Sequence, residues 1–110
     1  MLHRTSRLTR AEVEAVQARG RALHGTLFTL RALPSMKSGA AVVVSKKVAR
    51  TAVARHLIRR RLMHLLQASL PKFHEGHHVV LFAKQGIAQA EFAAVSSELS
   101  TLLKAAKLVS

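Results

Sequence analysis

The spacing of apolar and polar residues predicts a short helix near the start of the chain. Thr9 and Glu12 form a capping box, in which each side chain accepts a hydrogen bond from the backbone N–H group of the other residue. We expect this helix to span residues 9–19, with Gly20 as its C-terminal cap.

Segments of β-type sequence follow. Residues 23–33 are rich in Leu, Thr and Phe and predict extended chain with a bend or bulge at Gly25. A turn over residues 34–39 leads to a short buried strand over residues 40–45, which contains three consecutive valines. Residues 79–83 predict a further strand of the same buried type.

Two longer helices complete the pattern. One begins near Thr51 and ends at Pro71, because proline cannot continue a helix, and the last helix spans about residues 89–107. Each has apolar residues at helical spacing, which we expect to be buried. In the first of the two these are Ile58, Leu62, Leu65 and Leu66. In the last helix they are Phe92, Val95, Leu99, Leu102 and Leu103.

The length of the chain indicates a single domain over residues 1–110. With 110 residues, of which 49% are apolar, it can form one hydrophobic core but not two. The order of helix, strands, helix, strand and helix contains no repeat and no linker. It predicts an α+β or α/β sandwich in which helices cover a small sheet.

The charge of the chain is strongly unbalanced. It has 18 Lys and Arg residues against five acidic residues, all of them Glu, and a formal net charge of +13. No acidic residue lies between Glu14 and Glu75, an interval that contains 12 Lys and Arg residues. A block of one charge sign repels itself unless a polyanion binds to it, so nucleic acid is the expected partner.

A membrane partner is not indicated. The chain has four Phe, no Tyr and no Trp, whereas a helix that binds a membrane surface favours an aromatic-rich apolar face. No apolar run approaches the roughly 18 residues that a spanning helix needs, and the polar start lacks a signal-peptide core. The chain also has no Cys, so we expect a cytoplasmic protein without disulfides.

A basic loop and the helix that follows it carry the strongest functional signal. Lys46, Lys47 and Arg50 lie between the buried valine strand and that helix. At 100° per residue, the helix side opposite the apolar stripe is cationic, with Arg61 at the edge of the stripe. The residues on the cationic side are Arg55, His56, Arg59, Arg60 and His64. Since a solvated face ordinarily mixes both charge signs, we predict that this side binds the phosphates of RNA or DNA.

These residues resemble the signature of the bacterial ribonuclease P protein family. Residues 43–47, VVSKK, are similar to the end of the family's strand, SVSKK. Residues 53–62, VARHLIRRRL, are similar to the family's basic helix, Val-x-Arg-Asn-Arg-Ile-Lys-Arg-Arg-Leu. The resemblance extends over nearly the whole chain, from the capped first helix to the closing amphipathic helix.

The resemblance implies a fold. It is a two-layer α/β sandwich of α+β class, with three helices and a small, mostly antiparallel sheet of about four strands. The sheet would contain one left-handed β-α-β crossover, against the usual right-handed rule. Four strands require the extended segment 23–33 to break near Gly25.

The resemblance also implies a function, that of the protein subunit of ribonuclease P. The RNA subunit of this endonuclease, with Mg²⁺, cuts precursor tRNA at the 5′ end of the tRNA body, so no catalytic residue is expected in the protein. The protein would bind the RNA subunit as a monomer in a 1:1 complex, and would hold the single-stranded 5′ leader in a cleft between the sheet and the first helix. The implied RNA-binding residues are Lys46, Lys47, Arg50, Arg55, His56, Arg59, Arg60 and Arg61.

The chain departs from the family pattern at several positions. The family triplet Arg-Asn-Arg is Arg-His-Leu at residues 55–57, and a later basic position is Met63. The chain therefore lacks one arginine of the triplet, whose guanidinium can bind phosphate, and the asparagine, whose side-chain amide can hydrogen-bond to a base. Val13 and Gln17 stand where the family tends to place aromatic residues on its first helix, so we expect weaker stacking on the leader.

Protein-based catalysis is poorly supported. His74, Glu75 and His78 match the zinc-protease pattern H-E-x-x-H, but Pro71 and Gly76 bracket the stretch, whereas that chemistry needs both histidines on one helix. We expect a polar turn with histidines that are exposed or face RNA. The sequence contains no phosphate-binding glycine loop, nucleophile elbow or paired carboxylates.

Two other functions remain open from the residues alone. A ribosomal or other structural RNA-binding protein would share the charge but would not need a cleft for a single strand. A DNA-binding module would insert the arginines of the basic helix into a major groove.

Overall fold

The structure, a computed structural model, describes residues 7–110. Residues 1–6, on which the expectation of no signal peptide partly rests, lie outside the described residues. Within residues 7–110, none of the helices is long and apolar enough to cross a membrane. The helices and strands are α1 Arg10–Arg19, β1 Arg21–His24, β2 Phe28–Pro34, β3 Gly39–Val43, α2 Ala52–Ser69, β4 His77–Ala83 and α3 Phe92–Ala105.

The strands form one sheet in the order β1-β2-β4-β3. β1 pairs with β2 and β2 with β4 in antiparallel fashion, whereas β3 and β4 are parallel neighbours. A parallel pair of strands needs a long connection, and α2 supplies it. The predicted α+β class is thus confirmed, with its four strands, three helices and a β-α-β crossover.

One face of the sheet carries the main hydrophobic core. Leu81 in β4 is paired with Leu30 in β2 and with Val42 in β3, so these three side chains share a face. All three are buried, together with most of the apolar residues predicted to face the core from α2 and α3; Leu65 is only partly buried. The helix residues in this core are Ile58, Leu62, Leu66, Val95, Leu99, Leu102 and Leu103.

Helix α1 packs on the opposite face, where Val16 and Val80 are both fully buried. The predicted capping box is confirmed, since Thr9 and Glu12 each accept a hydrogen bond from the other's backbone N–H group. The hydrogen bond from Thr9 lowers the pKa of the Glu12 carboxyl. Gly20 is the C-terminal cap of α1, and only glycine fits there because an added Cβ atom would lie 2.4 Å from the Val16 carbonyl oxygen.

A carboxylate of α3 binds the backbone of the turn between β1 and β2. Glu98 of α3 accepts hydrogen bonds from the backbone N–H groups of Thr26, Leu27 and Phe28, at 2.9, 2.8 and 3.1 Å. The turn is so close to this side chain that a Cβ atom at Gly25 would lie 2.5 Å from a Glu98 oxygen. The bend predicted at Gly25 is therefore confirmed. Glu98, which binds the backbone of this bend, lies 70 or more positions away in the sequence.

Several details differ from the sequence prediction. The strand predicted over residues 40–45 is Gly39–Val43, and Val43 at its end is exposed. The last helix begins at Phe92, because residues 87–89 form a separate 3₁₀ turn. Phe92 was predicted to be buried and is exposed. His77 and His78 were predicted to lie in a polar turn, but they are half-buried residues of β4. His78 also faces Glu12 of α1, with its Nε2 atom 3.7 Å from a carboxylate oxygen.

We expect Glu98→Ala to lower the free energy of unfolding by about 3 kcal/mol, because three backbone donors lose a charged acceptor. Urea unfolding measures the change. The matched control is Glu91→Ala, which removes an exposed carboxylate that caps no N–H group of α3 and should change stability by less than about 0.5 kcal/mol. Equal losses in the two variants would contradict the role of Glu98.

Candidate nucleic-acid interface

The basic loop before α2 is anchored by apolar residues and presents its cations to solvent. Val44 and Ala49 are buried in the core, whereas Lys46, Lys47 and Arg50 are exposed. The backbone N–H groups of residues 48 and 49 both donate to the Ser45 carbonyl, which closes a tight turn. Three of the eight predicted RNA-binding residues therefore lie on an ordered loop.

The start of α2 is fixed by its own side chains. Thr51 caps the helix by accepting a hydrogen bond from the Ala54 N–H group at 3.1 Å. Arg55 turns back toward the loop, where its Nη1 atom donates to the carbonyl oxygens of Ala49 and Arg50 at 3.0 and 2.9 Å. A guanidinium has five N–H donors, so Arg55 can hold the loop and still offer donors to a phosphate.

A groove of about 760 Å³ runs along the exposed side of α2. We call it the α2 groove. It brings together four of the predicted residues, His56, Arg59, Arg60 and Arg61, and it does not include the loop lysines, Arg50 or Arg55. The other residues that line it are Arg7, Val42, Leu57, Met63 and His64.

Arg7 is a member of this groove that the sequence prediction missed. Residue 7 forms a parallel bridge with Ala40, and the Leu8 N–H group donates to the Ala40 carbonyl at 3.1 Å. The chain before α1 is thereby added to the free edge of β3, which places Arg7 beside α2. No local sequence signal marks Arg7, because its position depends on pairing with a strand more than 30 residues away.

The arginines of α2 have no carboxylate partner among residues 7–110. The close contacts between basic and acidic side chains found there join Arg10 to Glu14 at 3.5 Å and His78 to Glu12 at 3.7 Å, and both involve α1. Glu98 is held by the β1–β2 turn. The groove is therefore a cationic surface without internal compensation, which favours an anionic ligand.

The H-E-x-x-H match does not form a metal site in this part of the chain. His74 contacts the Ser110 hydroxyl through Nε2 at 3.1 Å, whereas His78 faces Glu12 from β4. The two histidines thus have different partners on different elements. No group of three or more potential metal ligands occurs among residues 7–110.

Comparison with known proteins finds similar sequences in one family. The family model described as Ribonuclease P matches residues 2–107. The Ribonuclease P protein component of Picosynechococcus sp. is 27% identical over 94 residues, which are 84% of this chain and 81% of that protein. The Ribonuclease P protein component of Thermus oshimai is 36% identical over 91 residues, which are 82% of this chain and 57% of that protein.

We expect Arg55→Ala to lower the free energy of unfolding by about 1 kcal/mol, because two loop carbonyls lose their donor. Arg60→Ala removes an equal charge from an exposed position and should change stability by less than about 0.5 kcal/mol. Thermal unfolding of both variants measures the difference. A larger loss for Arg60→Ala than for Arg55→Ala would contradict the structural role of Arg55.

Solved structures agree on the fold. The RNase P protein of Staphylococcus aureus superimposes with a TM-score of 0.83 at 18% identity, covering 96% of this chain and 98% of that one. This similarity shows a shared fold, and the family follows from the model match over residues 2–107. The chain therefore belongs to the ribonuclease P protein family, as a protein component of the holoenzyme that processes tRNA 5′ ends.

Proposed function

We propose that the chain binds the RNA subunit of ribonuclease P through the α2 groove and so assists the cleavage of precursor tRNA. The observation that carries this proposal is the set of arginines Arg59, Arg60 and Arg61 in one groove, without a carboxylate partner among residues 7–110. A guanidinium binds two phosphate oxygens at once, and each phosphate contact releases counterions from the RNA. Both effects favour a folded RNA as the ligand.

The basic loop extends this surface toward the N-terminus of α2. Lys46, Lys47 and Arg50 are exposed there, and Arg55 holds the loop backbone in place. The first N–H groups of a helix also carry partial positive charge, which adds to the attraction of a phosphate. In the proposal, the loop and the α2 groove bind consecutive parts of one RNA, with one protein for each RNA.

The hydrolysis itself is assigned to the RNA subunit. Among residues 7–110, no group of three or more His, Cys, Asp or Glu residues is placed to hold a metal ion. We propose that Mg²⁺ is bound mainly by the RNA, because Mg²⁺ prefers phosphate oxygens and water as ligands. The protein contributes by screening phosphate repulsion and by positioning the substrate. We assign no catalytic residue to this chain.

The 5′ leader of precursor tRNA is proposed to lie on the sheet face that α1 shares. His24, Thr29, Phe82 and Val43 form a row across all four strands on this face. Val43 and His24 are exposed and Phe82 is half-buried, so the row is partly open. Phe82 supplies an aromatic ring on the sheet, whereas α1 has Val13 and Gln17 in the region where the family resemblance implies aromatic residues.

We expect the double variant Arg59→Ala, Arg60→Ala to weaken binding to in vitro transcribed ribonuclease P RNA. The slope of log K against log salt is negative, and its magnitude should decrease by about 2, because each lost phosphate contact removes about 0.9 from it. Stimulation of precursor-tRNA cleavage at low Mg²⁺ should be lost together with this slope.

The matched control is Lys72→Ala, Lys104→Ala, which removes the same charge from exposed positions outside the α2 groove. This control should keep both the slope and the stimulation. An equal change in the two double variants would mean that net charge alone drives binding, and an unchanged slope in the arginine variant would remove the α2 groove from the interface.

A further inference from the structure

Exposed apolar side chains cluster beside the cationic surface. Val53, Leu57 and Phe92 are 72%, 49% and 58% exposed. Val53 and Leu57 are one turn apart on α2 and therefore share a side of that helix, and Phe92 is the first residue of α3. Exposed apolar side chains that lie together are a common feature of surfaces that bind a ligand.

Leu57 and Phe92 border a second groove, of about 270 Å³, between α2 and residues 87–95. We call it the α2–α3 groove. Ile58, Leu62, Ile87 and Val95 are buried residues that line it. Arg61 is the charged residue in its lining, and Glu91 is exposed next to Phe92 in the chain. The groove is thus an apolar slot with a guanidinium and an aromatic ring among its lining residues.

The two grooves of α2 are continuous. Leu57 and Arg61 line both the α2 groove and the α2–α3 groove. If the phosphates of a nucleic acid bind in the α2 groove, its bases can therefore reach the α2–α3 groove.

We infer that the α2–α3 groove takes one unstacked base of the RNA, with Phe92 as the stacking partner and Arg61 on a neighbouring phosphate. This inference rests on the proposed function. An aromatic ring beside an arginine is the combination that holds a splayed base in single-stranded RNA.

A second copy of the chain is the less favoured occupant. Each copy carries a net charge of +13, and the groove lies beside arginines without carboxylate partners among residues 7–110. Two such surfaces repel each other, whereas an RNA is attracted by the same charge.

The first test is Phe92→Ala, with ribonuclease P RNA transcribed in vitro as the probe. The affinity should fall about fivefold or more through the loss of one stacked base, and the slope of log K against log salt should stay unchanged because no phosphate contact is lost. Met36→Ala is the matched control, since Met36 is fully exposed between β2 and β3. Leu57→Ser serves as a second variant on the other wall of the groove, and thermal unfolding confirms that each variant is folded.

The second test uses fluorescence. The chain contains no Trp and no Tyr, so Phe92→Trp introduces a single reporter. Addition of the RNA should quench this tryptophan through stacking, whereas Met36→Trp should not be quenched. Quenching at position 92 alone supports the inference, and equal quenching or none at the two positions overturns it.

The outcomes separate the inference from the proposed function. If the wild-type chain shows no salt-dependent binding to the RNA, both are overturned. If the arginine variants lose affinity and slope but Phe92→Ala binds like the wild type, only the inference is overturned. A wild-type dimer that Phe92→Ala dissociates, with RNA affinity unchanged, would assign the groove to a second copy and would also overturn it.

Discussion

The burial of Ile58, Leu62 and Leu66 against the sheet decides where the arginines of α2 lie. These side chains are in the main core, which α2 joins because it connects the parallel strands β3 and β4. Fixing one stripe of a helix leaves the opposite side to solvent, and on α2 that side is cationic. The edge of β3, extended by the pairing of Arg7 with Ala40, lies beside this side of the helix. The β3-α2-β4 crossover therefore places the cationic side of α2 next to the edge of β3, and the α2 groove lies between them.

The few acidic residues of the chain act away from that groove. Glu12 closes the cap of α1, Glu14 pairs with Arg10 on the same helix, and Glu98 holds the β1–β2 turn. These three carboxylates serve local structure, and among residues 7–110 no carboxylate pairs with the arginines of α2. The resulting repulsion is relieved when a polyanion binds, so the same arrangement that costs stability in the free protein favours RNA binding.

The sequence predicted the elements and the main core because hydrophobic periodicity and capping residues are local signals. It did not predict the exposure of Phe92, since periodicity identifies a side of a helix but not whether a neighbour covers its first turn. The contacts of Arg55 with the loop and of Glu98 with the β1–β2 turn depend on how the chain folds back. Arg7 was missed for the same reason, because its neighbours on β3 and α2 are distant in sequence.

The proposed contact between α2 and RNA can be tested most directly by tethered hydroxyl-radical probing. The chain has no cysteine, so His64→Cys in the α2 groove and Thr101→Cys on the exposed side of α3 each provide one attachment site for iron-EDTA. We predict clustered strand cuts in bound ribonuclease P RNA from position 64 and few or none from position 101. Cuts from position 101 with none from position 64 would contradict the placement of the RNA on α2.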